Sequence, residues 1–385
     1  MNVGIVAEYN PFHKGHKLHI EITKQKTGAE NVIALMSGSF VQRGEPAIYS
    51  KFVRTKTALL NGVDMVIELP VEYATGSADI FCRGAVDILD KSRIVDILSF
   101  GTELGELSPF IEGAKLLLDE PVSFKKALHK ELNCGKPYAS ARLTALSEVM
   151  SRDMSFLSTP NNILAFEYIR ALFALNSSIK PFTVKRQAND YNSQQMSGEI
   201  SSASAIRESI YRGDIANALY ATPKNCRFIF ESTENFIDRY TDIFKYIMLS
   251  KSPSELQEID GVAEGIENRI LSSLNCGSLT EIAQAVKSKR YALSRVRRTL
   301  LHILLSITKE DALKAPQYIR VLGFKRSKSQ LVSELAKKAS LPVITNVKNA
   351  PEGLLKKEIF ATDMYFLPLD SGRGKDFTDF PIILD

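Results

Sequence analysis

The sequence predicts an α/β fold in which a Rossmann-like parallel sheet is followed by a mainly helical, basic C-terminal domain. Strand and helix patterns alternate through the first hundred residues, as in β-α-β units. After about residue 223 the strand patterns nearly vanish, and helical patterns dominate to about residue 340. Between residues 281 and 340 there are fourteen Lys and Arg against four Asp and Glu, although the whole chain carries only +5. We therefore predict two domains, residues 1–225 and 226–385.

The predicted elements of the first domain follow the order that a parallel sheet requires. Buried strands are expected at residues 3–8, 31–36, 64–69 and 94–100, and helices at 15–27, 51–61 and 78–91. Helical patterns continue from 107 to about 175, residues 182–186 predict another strand, and 341–347 a late strand or extended segment. Ligands of parallel sheets bind beyond the carboxyl ends of the strands, so the loops that follow these strands are the expected place for a site.

Composition excludes several classes of protein. The chain of 385 residues is 44% hydrophobic and 24% charged, which is typical of a globular protein and not of a disordered one. No apolar run approaches the ~20 residues that span a bilayer, and the first residues lack the features of a secretion signal. We therefore expect a cytoplasmic protein with no membrane partner. The four cysteines form no CxxC pair, so a zinc ribbon is unsupported, and no metal site is predicted.

Three of the five histidines lie within seven residues, directly after the first predicted strand. The segment reads EYNPFHKGH, with His13 and His16 on the first turn of a predicted helix. A helix N-terminus carries unpaired N–H groups and a positive partial charge, and therefore suits phosphate. Gly15 between the histidines allows a ligand to approach the backbone closely. No GxxxxGK[ST] sequence occurs, which excludes a P-loop. The alternative is a pair of metal-binding or surface histidines.

HKGH after a first strand is similar to the HxGH signature of the nucleotidyltransferase superfamily. That resemblance implies histidines that bind ATP phosphates and stabilise charge on the α-phosphate and the departing pyrophosphate. The segment ISSASAIR, residues 200–207, resembles the ISSTxIR segment of the same superfamily, whose serines and arginine hold the triphosphate. Ser201, Ser202, Ser204 and Arg207 match that pattern, and Ala203 departs from it. The alternative for this segment is a plain serine-capped helix.

Further blocks along nearly the whole chain resemble the bacterial tRNA(Met) cytidine acetate ligase family. They are GIVAEYNPFHKGH, MSGSFVQRGEPAIYSKFVRTKTAL, GVDMVIELPVEYATGSADIF, LSFGTE, TPNNILAFEYIRAL and IRVLGF. Ser39 and Thr102 stand where the family more usually has asparagine and serine. The resemblance implies an HxGH nucleotidyltransferase fold and a ligase that activates acetate with ATP to acetyl-adenylate, releasing pyrophosphate. The acetyl group would pass to N4 of the wobble cytidine of elongator tRNA(Met), giving N4-acetylcytidine. ATP is expected as a substrate with Mg²⁺, without a tightly bound cofactor, and the oligomeric state stays open.

Site residues follow from the resemblance and from the charges. The predicted catalytic residues are His13, His16, Lys51 and Arg54. The predicted ATP-binding residues are Ala7, Glu8, Tyr9, Asn10, Pro11, Phe12, His13, Lys14, Gly15, His16, Lys17, Leu18, His19, Ile20, Gly101, Asn162, Arg186, Gln187, Ser201, Ser202 and Arg207. Acetate is an anion at neutral pH and needs no general base, but cations must offset its repulsion by the phosphates. Alternatives are a solvated helix face for Lys51 and Arg54, a turn for Gly101 and a helix cap for Asn162.

The basic segment is the expected RNA-binding surface. Its predicted contacts are Lys287, Lys289, Arg290, Arg295, Arg298, Lys325 and Arg326. Residues 294–307 form an amphipathic pattern with Arg295, Arg298 and His302 off the apolar stripe. Tyr291 and Phe324 are candidates for stacking on bases, with core packing as the alternative. Two other functions stay open at this point: a small-molecule adenylyltransferase, and a non-catalytic RNA-binding protein.

Overall fold

The computed structural model describes residues 1–136, 138–186, 201–369, 371–379 and 381–385. Strands β1 to β10 of this described part span Asn2–Ala7, Asn31–Ser37, Phe40–Val41, Glu45–Pro46, Met65–Leu69, Ile97–Thr102, Lys180–Lys185, Ile319–Lys325, Val343–Ile344 and Ile382–Leu384. Helices α1 to α19 span Lys14–Thr27, Lys51–Leu60, Val71–Ala74, Ala78–Ser92, Ser108–Asp119, Val122–Asn133, Tyr138–Met150, Pro160–Ala174, Ala203–Tyr211, Ile215–Ala221, Thr241–Ser250, Pro253–Gln257, Ile266–Ser272, Leu279–Val286, Leu293–Leu305, Lys309–Leu313, Ser329–Lys338, Lys356–Phe366 and Lys375–Thr378. Short 3₁₀ helices span Ser155–Ser158, Lys224–Glu231, Ile237–Tyr240, Arg326–Lys328, Val347–Asn349 and Leu367–Leu369. None of the described helices combines the length and apolarity needed to cross a membrane.

The predicted parallel sheet is confirmed. The strand order is β10-β8-β5-β2-β1-β6-β7, and β9 also pairs with β8. The strands β5, β2, β1, β6 and β7 are mutually parallel. Their carboxyl ends therefore meet at one edge of the sheet, which we call the carboxyl edge, and the opposite edge is the amino edge. The loop with the histidines leaves the sheet at the carboxyl edge, after Ala7.

The predicted division into two consecutive domains is wrong, because the last part of the chain returns to the sheet. β8 pairs antiparallel with β5, and β9 and β10 both pair parallel with β8. The strand at β8 was not expected, since its apolar run is interrupted by Arg320. The guanidinium of that arginine is buried against Glu68 and Asp376, which lie far away in sequence. Local pattern cannot reveal that long-range compensation.

Helices cover both faces of the sheet. Alternate residues of each strand contribute to two separate cores, as a sheet buried on both faces requires. One core contains Val32, Ala34 and Val66 together with Ile20 of α1 and Leu59 of α2. The core on the other face contains alternating strand residues and the buried faces of α4, α5 and α8. The sheet therefore provides a rigid base for the loops at its carboxyl edge.

A third core belongs to the helices after residue 236. It is formed mainly by α11, α13, α14, α15 and α18. Phe40 of β3 and Val71 of α3, two segments that follow the carboxyl ends of β2 and β5, are part of the same core. The ring of Phe40 lies 6.0 Å from that of Tyr240 and 6.1 Å from that of Tyr365. The helical bundle is thus packed against the carboxyl edge, beside the histidine loop.

Five ionisable side chains form a buried ion cluster where α2, β5, β8, α18 and α19 meet. Its members are Lys51, Glu68, Arg320, Glu358 and Asp376, all buried. The ammonium of Lys51 lies 2.7 Å from Glu68 Oε1 and 2.9 Å from Asp376 Oδ1. Arg320 Nη1 lies 2.9 Å from Glu68 Oε2. Two of the three carboxylates come from the last thirty residues, so the cluster holds that segment to the sheet.

Candidate active site

The two histidines of the HKGH segment form the cap of α1. Gly15 N–H donates to His13 Nδ1 (3.1 Å), and His13 N–H donates to His16 Nδ1 (3.3 Å). Their rings are stacked with centroids 3.7 Å apart. In a neutral imidazole only one nitrogen carries a proton, so each ring must carry it on Nε2. The turn therefore presents two N–H donors at a helix N-terminus, which is the geometry that a phosphate chain requires.

Burial keeps these histidines neutral. It lowers the pKa of His13 to about 3, and the nearby charges of Arg186 and Arg207 act in the same direction. Burial also places the pKa of His16 well below its usual value, assisted by His13, Arg186 and His19. The pKa of His19 falls to about 4, again mainly through burial. The positive charge of the site therefore comes from its arginines and not from its histidines. A bound polyanion would offset the repulsion between these positive charges.

Arg54 holds the loop that carries the histidines, and the prediction that it faces substrate is wrong. Its guanidinium is buried and donates to the carbonyls of Glu8 (2.7 Å), Ser37 (2.9 Å), Gly38 and Tyr49 (3.0 Å). Those carbonyls follow β1 and β2 or precede α2, so Arg54 joins the segments at the carboxyl edge. It is a positioning residue, because within the described part of the chain its hydrogen bonds all go to backbone carbonyls.

Lys51 does not face the site either. Its ammonium has no exposed surface and belongs to the buried ion cluster, where it also donates to Thr362 Oγ1 (2.9 Å). A cation that is already surrounded by carboxylates adds no field at the histidine turn. The prediction of a catalytic role for Lys51 is therefore wrong. The helix was predicted correctly, but periodicity did not show which of its faces is buried.

Arg207 connects α9 to the histidine loop. Its Nη1 donates to the carbonyl of Asn10 (2.7 Å), and its Nη2 lies 3.0 Å from Glu45 Oε1. Ser202 caps α9 by accepting from Ala205 N–H (3.2 Å). Ser201 is buried, and its hydroxyl has no partner among the described residues. The structure thus brings Arg207 of this segment to the loop that precedes the HKGH turn, and the binding of the triphosphate by these serines and the arginine stays a prediction.

Gly101, Arg186 and Asn162 lie around the end of β6. A Cβ at Gly101 would lie 3.1 Å from Arg186 Cγ, so glycine lets the arginine side chain pass over the strand. The exposed Arg186 follows β7, and its Nη1 is 3.4 Å from Asn161 Oδ1. Asn162 is buried, and its side chain accepts from Glu103 N–H in the loop after β6 (3.0 Å). It also donates to the carbonyl of Phe156 in the 3₁₀ helix before α8 (2.9 Å). The N-cap of α8 is Thr159, so Asn162 is not the helix cap that the alternative supposed, and its direct contact with ATP stays a prediction. Gln187 lies outside the described residues.

The remaining residues of the predicted 7–20 ATP-binding range divide into two groups. Tyr9, Phe12 and Ile20 have side chains buried in the core beneath the turn, so the predicted contact of these residues with ATP could come only from their backbone. His19 Nε2 lies 3.0 Å from Ser99 Oγ on β6, which points it toward the sheet. Contact with ATP stays a prediction for Ala7, Glu8, Asn10, Pro11, Lys14, Gly15, Lys17 and Leu18. Among them Glu8 and Asn10 also order the loop, because their side chains accept from the backbone N–H groups of residues 42 and 48 (3.0 and 2.7 Å).

Comparison with known proteins now decides the family. The profile of the family described as "HIGH Nucleotidyl Transferase" matches residues 1–378. The tRNA(Met) cytidine acetate ligase of Thermoanaerobacter sp. (strain X514) is 42% identical over 97% of this chain and 98% of its own length. The chain belongs to the tRNA(Met) cytidine acetate ligase family. The ligase of Clostridium perfringens (strain ATCC 13124) is 39% identical over the full length of both chains.

Solved structures place the ligase family on this fold. The crystal structure of Thermotoga maritima TmcAL in its apo form I has a TM-score of 0.94 and 32% identity, and covers 100% of this chain and 99% of that chain. A second structure of the same protein, bound with alpha-thio ATP, has a TM-score of 0.91 and 31% identity over the same shares. The predicted HxGH nucleotidyltransferase fold is therefore confirmed.

The basic residues predicted to bind RNA do not form one surface. Lys325 is the last residue of β8, at the amino edge, and lies 3.0 Å from Asp64 Oδ1, and Arg326 pairs with Asp385. The HKGH turn is at the opposite, carboxyl edge, because β8 runs antiparallel to β5. The others lie on or before α15: Lys287, Lys289 and Arg290 are exposed, whereas Arg295 and Arg298 are half-buried. The predicted RNA-binding residues thus lie in two separate places, and RNA contact by either group stays a prediction.

Three residues of this segment are core residues. His302 is buried and its Nε2 lies 3.1 Å from the carbonyl of Thr75, so it is not on a polar face as predicted. Tyr291 is buried, with its hydroxyl donating to Glu264 O (2.6 Å), and Phe324 packs on the sheet core. For both aromatic residues the structure supports the core-packing alternative. Sequence reasoning also missed Glu45, the partner of Arg207, because nothing local marks a contact between a hairpin turn and a distant helix.

Proposed function

We propose that this protein activates acetate with ATP and transfers the acetyl group to N4 of the wobble cytidine of elongator tRNA(Met). The observation that carries the proposal is the stacked pair of neutral histidines at the start of α1, beside Arg186 and Arg207. The names of the close relatives specify the reaction further, since they are tRNA(Met) cytidine acetate ligases. An enzyme that acts on tRNA would work in the cytoplasm.

The first step forms acetyl-adenylate. A carboxylate oxygen of acetate attacks the α-phosphorus of ATP, the bond to the β-phosphate oxygen breaks, and pyrophosphate leaves. Acetate is already deprotonated at neutral pH, so no base is required. The two Nε2–H groups, the unpaired N–H groups at the start of α1 and the arginines would stabilise the negative charge that builds on the phosphates. Mg²⁺ would arrive with ATP, since it usually binds through substrate phosphates and few protein ligands.

The second step transfers the acetyl group. The exocyclic amine attacks the carbonyl carbon of the mixed anhydride, AMP leaves with the electron pair of the broken C–O bond, and the amine loses one proton. Acetyl-adenylate is hydrolysed by water, so a site that excludes water until tRNA binds would prevent loss of the intermediate. The packing of the helical bundle against the carboxyl edge provides a wall on one side of that site.

The test follows the two steps separately. Acetate-dependent exchange of radiolabelled pyrophosphate into ATP reports the first step, and labelled acetate in bulk tRNA reports the second. Exchange with acetate and incorporation into tRNA are expected. Exchange driven only by a phosphorylated metabolite, without any requirement for RNA, would instead indicate a small-molecule adenylyltransferase and overturn the proposal.

A further inference from the structure

A cavity of about 500 Å³ lies next to the histidine loop, between α9, the β3–β4 turn and the helical bundle. Its size is within the range of small-ligand sites, ~300–1,000 Å³. The β3–β4 turn closes against α15, because a Cβ at Gly44 would come within 2.6 Å of the backbone of Arg297 and Arg298. The cavity is therefore built where the sheet and the bundle meet, and neither part forms it alone.

The side chain of Arg207 lies between this cavity and the histidine loop. One end of its guanidinium donates to the carbonyl of Asn10 in the histidine loop, and the other pairs with Glu45 in the cavity wall. A ligand in the cavity would thus lie across one guanidinium from the loop that receives ATP. Transfer between the two places therefore requires Arg207 to leave one of these partners, because the reacting atoms must approach to about 3–3.5 Å.

The walls carry an acceptor, a donor and a stacking surface. Asp238 Oδ1 accepts from Thr280 N–H (2.7 Å), which fixes the carboxylate, and Oδ2 has no partner among the described residues. The guanidinium of Arg297 likewise has no hydrogen bond or ion pair within the described part of the chain. Tyr211 and Phe236 meet edge to face with centroids 5.3 Å apart, and Tyr211 is 65% exposed.

We propose that this cavity receives the cytosine ring that accepts the acetyl group. Cytosine presents one exocyclic amine beside the acceptors N3 and O2, and carboxylates are the side chains that accept from that amine. Asp238 would hold the amine, Arg297 would donate to the ring acceptors or the adjoining phosphate, and Tyr211 would stack on the ring, as aromatic side chains do with unpaired bases. Uracil has an oxygen in place of the amine, so Asp238 would also exclude it. This inference rests on the proposed function.

The experiment compares two anticodon stem-loop RNAs that differ only in cytidine or uridine at the wobble position. Their Kd values and the rate of acetyl transfer to the cytidine RNA are measured for the full-length protein and for three variants. Asp238→Asn is expected to slow transfer about tenfold or more and to reduce the preference for cytidine, because an amide can donate to uridine O4. Tyr211→Ala is expected to weaken the binding of both RNAs about tenfold. Because the Tyr211 side chain is largely exposed, its removal should leave the fold intact. Asp242→Asn, an exposed carboxylate on α11 outside the cavity, is the matched control.

Acetate-dependent pyrophosphate exchange, measured on the same preparations, separates the two hypotheses. Exchange is expected within twofold of the unmodified protein in all three variants. Normal transfer and an unchanged preference for cytidine in Asp238→Asn would overturn the cavity assignment while the ligase function stands. Absence of exchange in the unmodified protein would overturn the proposed function, and this inference with it.

Discussion

His13 and His16 stack at 3.7 Å, and each Nδ1 accepts a backbone N–H of the turn they share. The same two bonds that cap α1 also fix which nitrogen of each ring is protonated. The hydrogen bonds that start the helix therefore also orient the two Nε2–H donors. A different N-cap residue could start the helix, but it would not supply those donors.

Replacing His13 separates these two roles. His13→Asn keeps a good N-cap residue, and His13→Ala removes it, at a cost of about 1 kcal/mol. Both lack the Nε2–H donor, so both are expected to lower acetyl-adenylate formation about 10²-fold or more. Pyrophosphate exchange measures the activity and thermal unfolding the stability. Near-normal exchange in His13→Asn would mean that the histidine serves only the helix.

The lowered histidine pKa values predict a flat pH profile. With the pKa of His13 at about 3 and that of His19 at about 4, these rings stay neutral from pH 5 to 8. We expect kcat/KM for ATP in the exchange reaction to show no inflection near pH 6.5 that comes from the histidines. That profile reports groups of the free enzyme and of free ATP, and the ionisation of the terminal phosphate of ATP, at about pH 6, is the same for every variant. An inflection near 6.5 that disappears in His16→Ala would contradict the neutral pair.

Lys51→Ala tests the corrected role of that lysine. Removing one partner from a buried ion network typically costs about 3–5 kcal/mol, because the carboxylates left behind are uncompensated. The free energy of unfolding in urea is therefore expected to fall by about that amount. Any preparation that remains folded at low temperature should bind ATP normally. Unchanged stability combined with abolished pyrophosphate exchange would restore the catalytic interpretation.

The ion cluster also predicts how stability depends on pH. Burial, followed by the charge of Glu68, raises the pKa of Glu358 well above its usual range, so the folded protein keeps a proton there that the unfolded chain releases above about pH 4.5. Stability should therefore decline by up to ~1.4 kcal/mol per pH unit above that point, until the folded pKa is reached. In Glu358→Gln this contribution disappears. Urea unfolding at pH 5 and pH 7 measures the difference, and parallel pH dependences of the two proteins would refute a protonated Glu358.

Asp376 of the same cluster makes the opposite contribution. Burial alone would raise its pKa, but Lys51 and Arg320 lower it to about 2. Its contribution to stability is present above about pH 3.8 and is lost as pH falls from there toward 2. Acid unfolding of Glu358→Gln should therefore still show a transition in that window.

The exposed lysines before α15 are expected to carry part of the RNA affinity. Lys287→Glu and Lys289→Glu together should weaken tRNA binding and reduce the slope of log affinity against log salt by about 0.7–0.9 for each phosphate that the variant no longer neutralises. Lys337→Glu, an exposed lysine of α17, is the control from the same basic segment and should leave the slope unchanged. Filter binding across a salt series measures this slope for each protein. Equal slopes in all proteins would show that residues 287–290 are a solvated surface.

Sequence periodicity predicted the first four major strands and the helices between them, because each has a local apolar pattern. It placed α2 correctly, but the burial of Lys51 and Arg54 depends on carboxylates and carbonyls from β5, α18 and the histidine loop. β8 was missed for the same reason, since the charge of Arg320 is compensated only in the folded sheet. The histidine turn was predictable because its chemistry lies within four consecutive residues. The cavity beside it was not, because its walls come from segments that are brought together only by the tertiary fold.

The late position of β8 has a consequence for how the protein is made. β5 leaves the ribosome early and acquires its second neighbour, β8, only after α6 to α16 have been synthesised. At typical elongation rates that interval is on the order of ten seconds or more. Throughout it, the nascent chain exposes an apolar strand edge of the kind that pairs with other chains. We expect this species to be the point at which synthesis depends most on chaperones, and shortened chains that stop before residue 319 to aggregate instead of folding into a smaller catalytic unit.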